Sequence, residues 1–428
     1  MKVYLVGGAC RDMLMGFIPK DYDFVVVGAT PQNMIDLGYK QVGKDFPVFL
    51  EPTHGWEIAL ARTERKTGIG YGGFETEWNG VTLEEDLARR DLTINAIAME
   101  VNWSKTVKTG ELVHTGKFID PFKGKDDLKN RLLKPTTEAF KEDPVRVLRV
   151  VRFLSRYTDF KVDSSLCFMC KDVEYSGELN NLVPDRVWKE TEKALGEKDP
   201  SRYFEFLVNF NFSFSGLFLE MESTVENNLY HQESNVFVHT MMVLRESNRL
   251  GTNDKEINFA ALLHDIAKPT CYQQRGNAHG HDNEGVSMIE DFCKEWKVPN
   301  SYRDLAKIVC EQHQKIHSCM GRGNNKPSKA KSIMKMFEQS GAINNPERFK
   351  KVLIVWEADN LGRISVNKTE DYLPKKYLLQ CLYAVLSVDN KEISSRMVSQ
   401  GKQGILIGEA IRVARISAIR EVQNKWKN

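Results

Sequence analysis

No apolar run in these 428 residues approaches the roughly 18 needed to cross a bilayer. The opening MKVYLVGG is too short and too soon interrupted for a secretory leader, so a cytoplasmic location is the default expectation. Surplus charge is missing as well. Sixty Lys and Arg against 58 Asp and Glu leave +2, and the chain as a whole announces no polyanionic partner. Local bias says more, because residues 131–156 are rich in arginine and the stretch beyond Gly401 is basic. The eight cysteines are scattered, and only Cys167 and Cys170 form a C-x-x-C. With no second pair and no suitably spaced histidine, they read as reduced, structural thiols rather than a zinc or redox site. Low-complexity tracts and internal repeats are also lacking. A chain this long, 41% hydrophobic and 28% charged, is expected to form two to four ordinary globular domains.

What the chain does have begins at residue 6, with VGGACRDMLMGFIPKDYDFVVVG. KVYLV (2–6) and DFVVVG (23–28) read as strands, CRDMLMG (10–16) as a helix and TPQNMIDLG (30–38) as a capped helix. FPVFLE (46–51) and WEIALAR (56–62) look like further strands. The Gly-rich, charged TERKTGIGYGGFETEWN (63–79) reads as a mobile loop and LEEDLARRDLTINAIAMEV (83–101) as a helix. From about residue 134 the pattern turns helical. Asp143 is placed as N-cap with Pro144 at the first helical position, and Val147, Val150, Val151 and Leu154 mark one apolar face. Residues 239–358 form a second helical block, and the basic amphipathic GEAIRVARISAIREVQNKW closes the chain.

Asp21 and Asp23 pose the first chemical question. Next to a buried strand, two carboxylates cost free energy unless a positive partner meets them. Residues i and i+2 of a strand share a face, so the pair can grip the same metal ions. Mg²⁺, which favours a few carboxylates plus substrate phosphates, answers the description. Upstream, Gly7 and Gly8 let a triphosphate approach backbone N–H groups, and Arg11 is placed to pair with its oxygens.

Further motifs follow in order: RRDLTINAIA (89–98), DPFKGKDDL (120–128), EDPVRVLRVVRF (142–153) and DRVWKE (185–190). In this order and spacing the set resembles the class II tRNA nucleotidyltransferases, the bacterial CCA-adding enzymes. The likeness runs over essentially the whole chain, because the C-terminal half resembles the HD domain carried by one branch of that family. One departure is NWSKTVKTGELVHTGKF (102–118), longer than the usual hairpin and read as a surface insertion.

The resemblance implies an α+β chain. It divides into a nucleotidyltransferase head of mixed sheet and helices (1–135), an all-α neck and body (136–225), an all-α HD domain (226–365) and a helical tail (366–428). It implies addition of CCA to the 3′ end of tRNA from CTP and ATP. Asp21 and Asp23 would hold two Mg²⁺, and Gly8, Arg11 and Arg90 the triphosphate. Asp143, Arg146, Arg149 and Arg152 would handle the nucleotide. Cytosine and adenine share an amino donor beside an unprotonated ring nitrogen, so an Asp–Arg pair can read both bases without a template. Steps of three residues drift by about 60° around a helix, so the three arginines cannot all face one point. Arg146 is the best base reader, Arg149 a phosphate or ribose ligand, and Arg152 the least secure.

Seven of the nine histidines fall between residues 231 and 317. His239, then His264-Asp265 in FAALLHDIAKP, then Asp359 in VWEADNLGR give the order H…HD…D of HD-domain phosphohydrolases. These four are expected to bind a divalent transition metal such as Ni²⁺ or Mn²⁺. His279, His281 and His313 either complete a second metal site or contact substrate phosphate. The family branch implies hydrolysis of 2′,3′-cyclic phosphates and 2′-phosphates. Rival readings are an A-adding, CC-adding or poly(A) enzyme, or a catalytically silent RNA-binding protein.

Overall fold

The computed structural model describes residues 1–42, 48–66, 74–212, 215–226, 233–317, 319–321, 326–364 and 372–426. The chain divides into two compact units, one built mainly from Met1–Glu190, the other from Thr191–Asn211 and Ser215–Asn428.

The first unit is organised around a mixed seven-stranded sheet. In chain order its region holds β1 (Lys2–Val6), β2 (Asp23–Val27), β3 (Lys40–Gln41), β4 (Val48–Leu50), β5 (Glu57–Leu60), β6 (Thr63–Lys66), β7 (Phe74–Glu77), β8 (Ala98–Val101) and β9 (His114–Ile119). The order across the sheet is β3-β4-β5-β2-β1-β8-β9, with β6 and β7 paired separately. β2 lies at the middle, antiparallel to β1 and parallel to β5. Side chains alternate as a strand requires: Val3, Leu5, Phe24 and Val26 are buried in one apolar cluster, Tyr4, Val6 and Val25 in another. A strand buried on both faces reads as a continuous apolar run, and VYLV and FVVV are such runs.

Helix starts follow their capping residues. Thr30 and Asn33 form a reciprocal box at Pro31–Asp36, and Thr82 and Glu85 another at Leu83–Ala88. Three sequence expectations need correction. The 63–79 stretch contains a hairpin, Thr63 opposite Glu77 through Lys66 opposite Phe74, while residues 67–73 lie outside the described ones. The helix expected over 83–101 stops after Ala88. A short 3₁₀ turn, Thr93–Asn95, and β8 follow, because Ala98–Val101 completes the sheet against β1. The 102–118 segment is not a mere surface insertion. Its helix Trp103–Thr109 sends Trp103 against Phe24, ring centroids 4.9 Å apart, and the indole donates to the Tyr39 hydroxyl. Strand β9 remains largely exposed.

The helix Val145–Arg156 buries Val147, Val150, Val151 and Leu154 on the expected face. The cap differs by one residue: Pro144 precedes the helix, and Asp143 accepts from the Val145 N–H at 3.2 Å.

The regular elements of the second unit, among the described residues, are helices. Val236–Leu250 packs on Lys255–Leu263 and Pro346–Leu361, and Asn300–His317 on Lys255–Leu263 and His281–Glu295. Trp356, fully buried, donates to the Val309 carbonyl. The closing helix Ile405–Lys425 buries Ile416 and Ile419, and Arg412 forks onto Glu338.

Candidate functional site

Asp23 is the first residue of β2, opposite Val6, and Asp21 lies two residues before it, outside the strand. Both are exposed. The desolvation cost expected from a neighbouring core therefore does not arise: the strand becomes buried only from Phe24 onward. Among the described residues no third His, Cys, Asp or Glu completes a ligand set with them. Two carboxylates at a solvent-facing strand end, with phosphates to supply the rest, suit Mg²⁺, which keeps waters and few protein ligands.

Gly7 sits at φ 71°, and a Cβ there would lie 2.9 Å from Arg90 Nη1. The glycine is what allows this guanidinium to cross the turn between β1 and the helix Gly8–Leu14. Arg90 also donates to Asp86 at 3.2 Å, and its Nε is buried without a partner. Arg11 is buried, donates to Asn95 Oδ1 at 2.7 Å and to Asp12, and lies over the Phe153 and Tyr157 rings. Two of its five N–H groups remain for a ligand.

The three arginines of Val145–Arg156 diverge, as the helical drift requires, and each meets its own carboxylate. Arg146 bonds to the Ala139 carbonyl and lies 4.0 Å from Glu64. Arg149 Nε donates to Asp91 at 2.8 Å. Arg152 is buried in an ion pair with Glu190 at 2.7 Å. Burial alone would raise the Asp91 carboxyl, but Arg149 and the Asn95 hydrogen bond hold it far below the usual carboxylate range. Asp143 accepts from Arg186 at 2.8 Å with its second oxygen, so cap and ion pair share one side chain.

In the second unit the expected ligands converge from separate elements. His239 comes from the first turn of Val236–Leu250, and His264 and Asp265 follow Lys255–Leu263. Asp359 lies near the end of Pro346–Leu361. His281 opens its helix, and His313 projects from Asn300–His317. All six are buried and fall into two triads of ligand atoms, His239–His264–Asp359 and Asp265–His281–His313. Asp265 stands between them. Its Oδ2 is 3.0 Å from His264 Nε2 and 3.7 Å from His239 Nε2, and its Oδ1 is 3.1 Å from His281 Nε2 and 3.5 Å from His313 Nε2. His279, by contrast, is exposed and stands in neither triad.

The imidazoles are oriented from behind. Nδ1 of His264, His281 and His313 lies within 2.7 Å of a carbonyl three residues upstream, Ala261, Ala278 and Cys310. A carbonyl only accepts, so each Nδ1 carries the proton and each Nε2 presents a lone pair. His239 Nδ1 faces Glu233 at 3.0 Å. His281 and His313 bring their Nε2 atoms to 3.0 Å, and Asp265 Oδ1 is buried with no hydrogen-bond partner. Lone pairs converging in a dry pocket need a cation, and this donor set fits divalent metal.

Lys268 bridges Asp265 and Glu226, and Arg363 contacts both oxygens of Asp359 at 3.0 Å. Burial would raise Asp265, yet the Lys268 ammonium, 2.8 Å from its Oδ2, helps hold it well below the usual carboxylate range. Sequence reasoning missed Asp91, Glu190, Glu233, Lys268 and Arg363 as partners. Helical spacing signals two of them, since Lys268 is three residues past Asp265 and Arg363 four past Asp359.

The poly A polymerase head domain family matches residues 3–134 and the HD domain family residues 236–361. The multifunctional CCA protein of Thioalkalivibrio sulfidiphilus (strain HL-EbGR7) is 41% identical over 433 residues, with all of both chains covered. The apo form II structure of a CCA-adding enzyme aligns with 98% of this chain and 90% of that one, at TM-score 0.64 and 22% identity. A complex of a CCA-adding enzyme with ATP aligns with 98% and 86%, at TM-score 0.63 and 20% identity.

Proposed function

The chain belongs to the family of multifunctional CCA proteins, and from that premise we propose how its residues divide two chemistries. The protein is an enzyme that adds CCA to the 3′ end of tRNA from CTP and ATP, working in the cytoplasm where these substrates are. Its HD domain hydrolyses 2′,3′-cyclic phosphate and 2′-phosphate ends. Residues 1–135 act as the transferase head, 136–225 as neck and body, 226–365 as the HD domain and 366–428 as the tail.

In the head, Asp21 and Asp23 hold Mg²⁺, which when bound neutralises the triphosphate and acidifies the attacking hydroxyl. Gly8, Arg11 and Arg90 position the triphosphate. The tRNA 3′-hydroxyl attacks the α-phosphorus and pyrophosphate leaves. Asp143 accepts from the base amino group while Arg146 donates to the ring nitrogen. Arg149, oriented by Asp91, holds phosphate or ribose. Arg152 serves the nucleotide indirectly, because its charge is spent on Glu190.

In the HD domain, His239, His264, Asp265 and Asp359 would hold a transition metal such as Ni²⁺ or Mn²⁺, and His281 and His313, beside Asp265, would serve a second ion. Bound there, divalent ions supply Lewis acidity toward phosphate and water. Glu233 and the three carbonyls keep the imidazoles aimed.

The observation that carries the reading is the presence on one chain of an exposed D-x-D at the central strand and a buried six-ligand cluster around Asp265. Electrophoresis of a tRNA lacking its 3′ end tests it. CTP alone should extend the RNA by two nucleotides, and CTP with ATP by three. Arrest after two nucleotides with both present would make the enzyme CC-adding, and long tails from ATP alone a poly(A) polymerase.

A further inference from the structure

The groups around the metal cluster are not equally enclosed. His239, His264, Asp265, His281, His313 and Asp359 each keep at most 5% of their side-chain surface in solvent, and Lys268 keeps 6%. Arg363, in contact with Asp359, keeps 23%. It is thus the charged side chain through which the described shell meets water.

Its guanidinium is only half used. Nε and Nη2 reach the Asp359 carboxylate, whereas Nη1 has no partner among the described residues. The backbone below it is fixed. Gly362 lies so close to Val243 that a Cβ would stand 2.7–2.9 Å from its backbone and side chain. The arginine therefore projects from a pinned helix end, not from a loose one.

Charge completes the case. Four carboxylates (Glu226, Glu233, Asp265, Asp359) face two cations (Lys268, Arg363) in this shell. One divalent ion balances the excess, and a second turns the pocket positive. Lys268 is locked between Asp265 and Glu226, so Arg363 is the cation with donors to offer.

We infer that Arg363 is the residue of the HD centre that grips the substrate phosphate, giving Nη1 to a nonbridging oxygen of a terminal phosphomonoester or cyclic phosphate while Nε and Nη2 stay on Asp359. This rests on the hydrolytic reading of that centre. A guanidinium suits the task because it presents two donor edges at once.

The test compares wild type with Arg363→Gln and Arg363→Lys, each loaded with Mn²⁺. Metal content, inorganic phosphate binding by calorimetry, and KM and kcat on 2′,3′-cyclic AMP are measured. Wild-type metal content is expected in both variants. Phosphate affinity and 1/KM should fall at least tenfold in Arg363→Gln and recover partly in Arg363→Lys, with kcat changing less. Metal loss in Arg363→Gln, or phosphate affinity and KM unchanged, would overturn the assignment by leaving Arg363 as a support for Asp359. Arg363-dependent phosphate binding without any hydrolysis by wild type would sink the hydrolytic reading and uphold the phosphate grip. No phosphate binding by wild type would overturn the phosphate grip, while hydrolysis of the cyclic nucleotide decides the hydrolytic reading separately.

Discussion

Asp21 and Asp23 hold their carboxylates in water, so chemistry and folding can be separated there. Asp21→Ala or Asp23→Ala should cut nucleotide addition at least about 100-fold. Exposed substitutions of this kind shift stability by only about 0.5 kcal/mol, which thermal melting will show. Asp91 is the opposite case. Its carboxyl is depressed in the folded state, so its contribution is fully present above the unfolded value of about 3.9 and is lost as pH falls through the folded one. Asp91→Asn should therefore cost about 1–2 kcal/mol at neutral pH, a figure kept low because Arg149 is over a third exposed. The mutant's unfolding free energy should fall less steeply than wild type's below about pH 4, as denaturant titration will measure. Base choice needs a careful substitution. Exchanging Asp143 and Arg146 would set an arginine against Arg186 and a carboxylate toward Glu64, so the fold itself would suffer. Asp143→Asn keeps a capping oxygen but loses the charge and adds a donor. UTP misincorporation should rise about tenfold relative to CTP, with melting little changed.

At the level of elements, β1, the Gly7 turn and the helix Gly8–Leu14 form one device. Gly7→Ala meets both a positive φ and Arg90, so it should cost about 1–3 kcal/mol and weaken triphosphate use together. A rise in KM for both CTP and ATP, with a lower melting point, is the expected signature. How much of this was legible in the sequence depended on the range of the forces. Strands buried on both faces announce themselves as VYLV and FVVV, and the cap at Thr30 needs only neighbours. The segment 83–101 deceived because its apolar spacing fits a helix while β1 offers Ala98–Val101 a ladder that only the fold supplies. The converging His and Asp residues were readable because their types are rare and ordered. Their partners were not, since Glu233, Asp91 and Glu190 are ordinary acids until the chain brings them to His239, Arg149 and Arg152.

Across the whole molecule, the residues proposed for the two chemistries lie in different compact units, and each activity should be removable alone. Asp265→Ala should lose metal content and at least about 100-fold of cyclic phosphate hydrolysis while CCA addition continues. Chelation should lower the melting temperature of the helical unit, because ions that bind only the folded ligand set stabilise it by mass action, and restored metal should reverse the shift.

The exposure of Asp21 and Asp23 carries a cellular corollary. Quality control reads hydrophobic surface and unfolding rate, and neither changes when these two carboxylates vanish. A dead variant would escape the proteases that clear misfolded chains and persist at normal abundance. It would still occupy tRNA ends and shield them from the working copies. In a cell holding both forms, loss of the acids should act as a poison rather than a simple deficit.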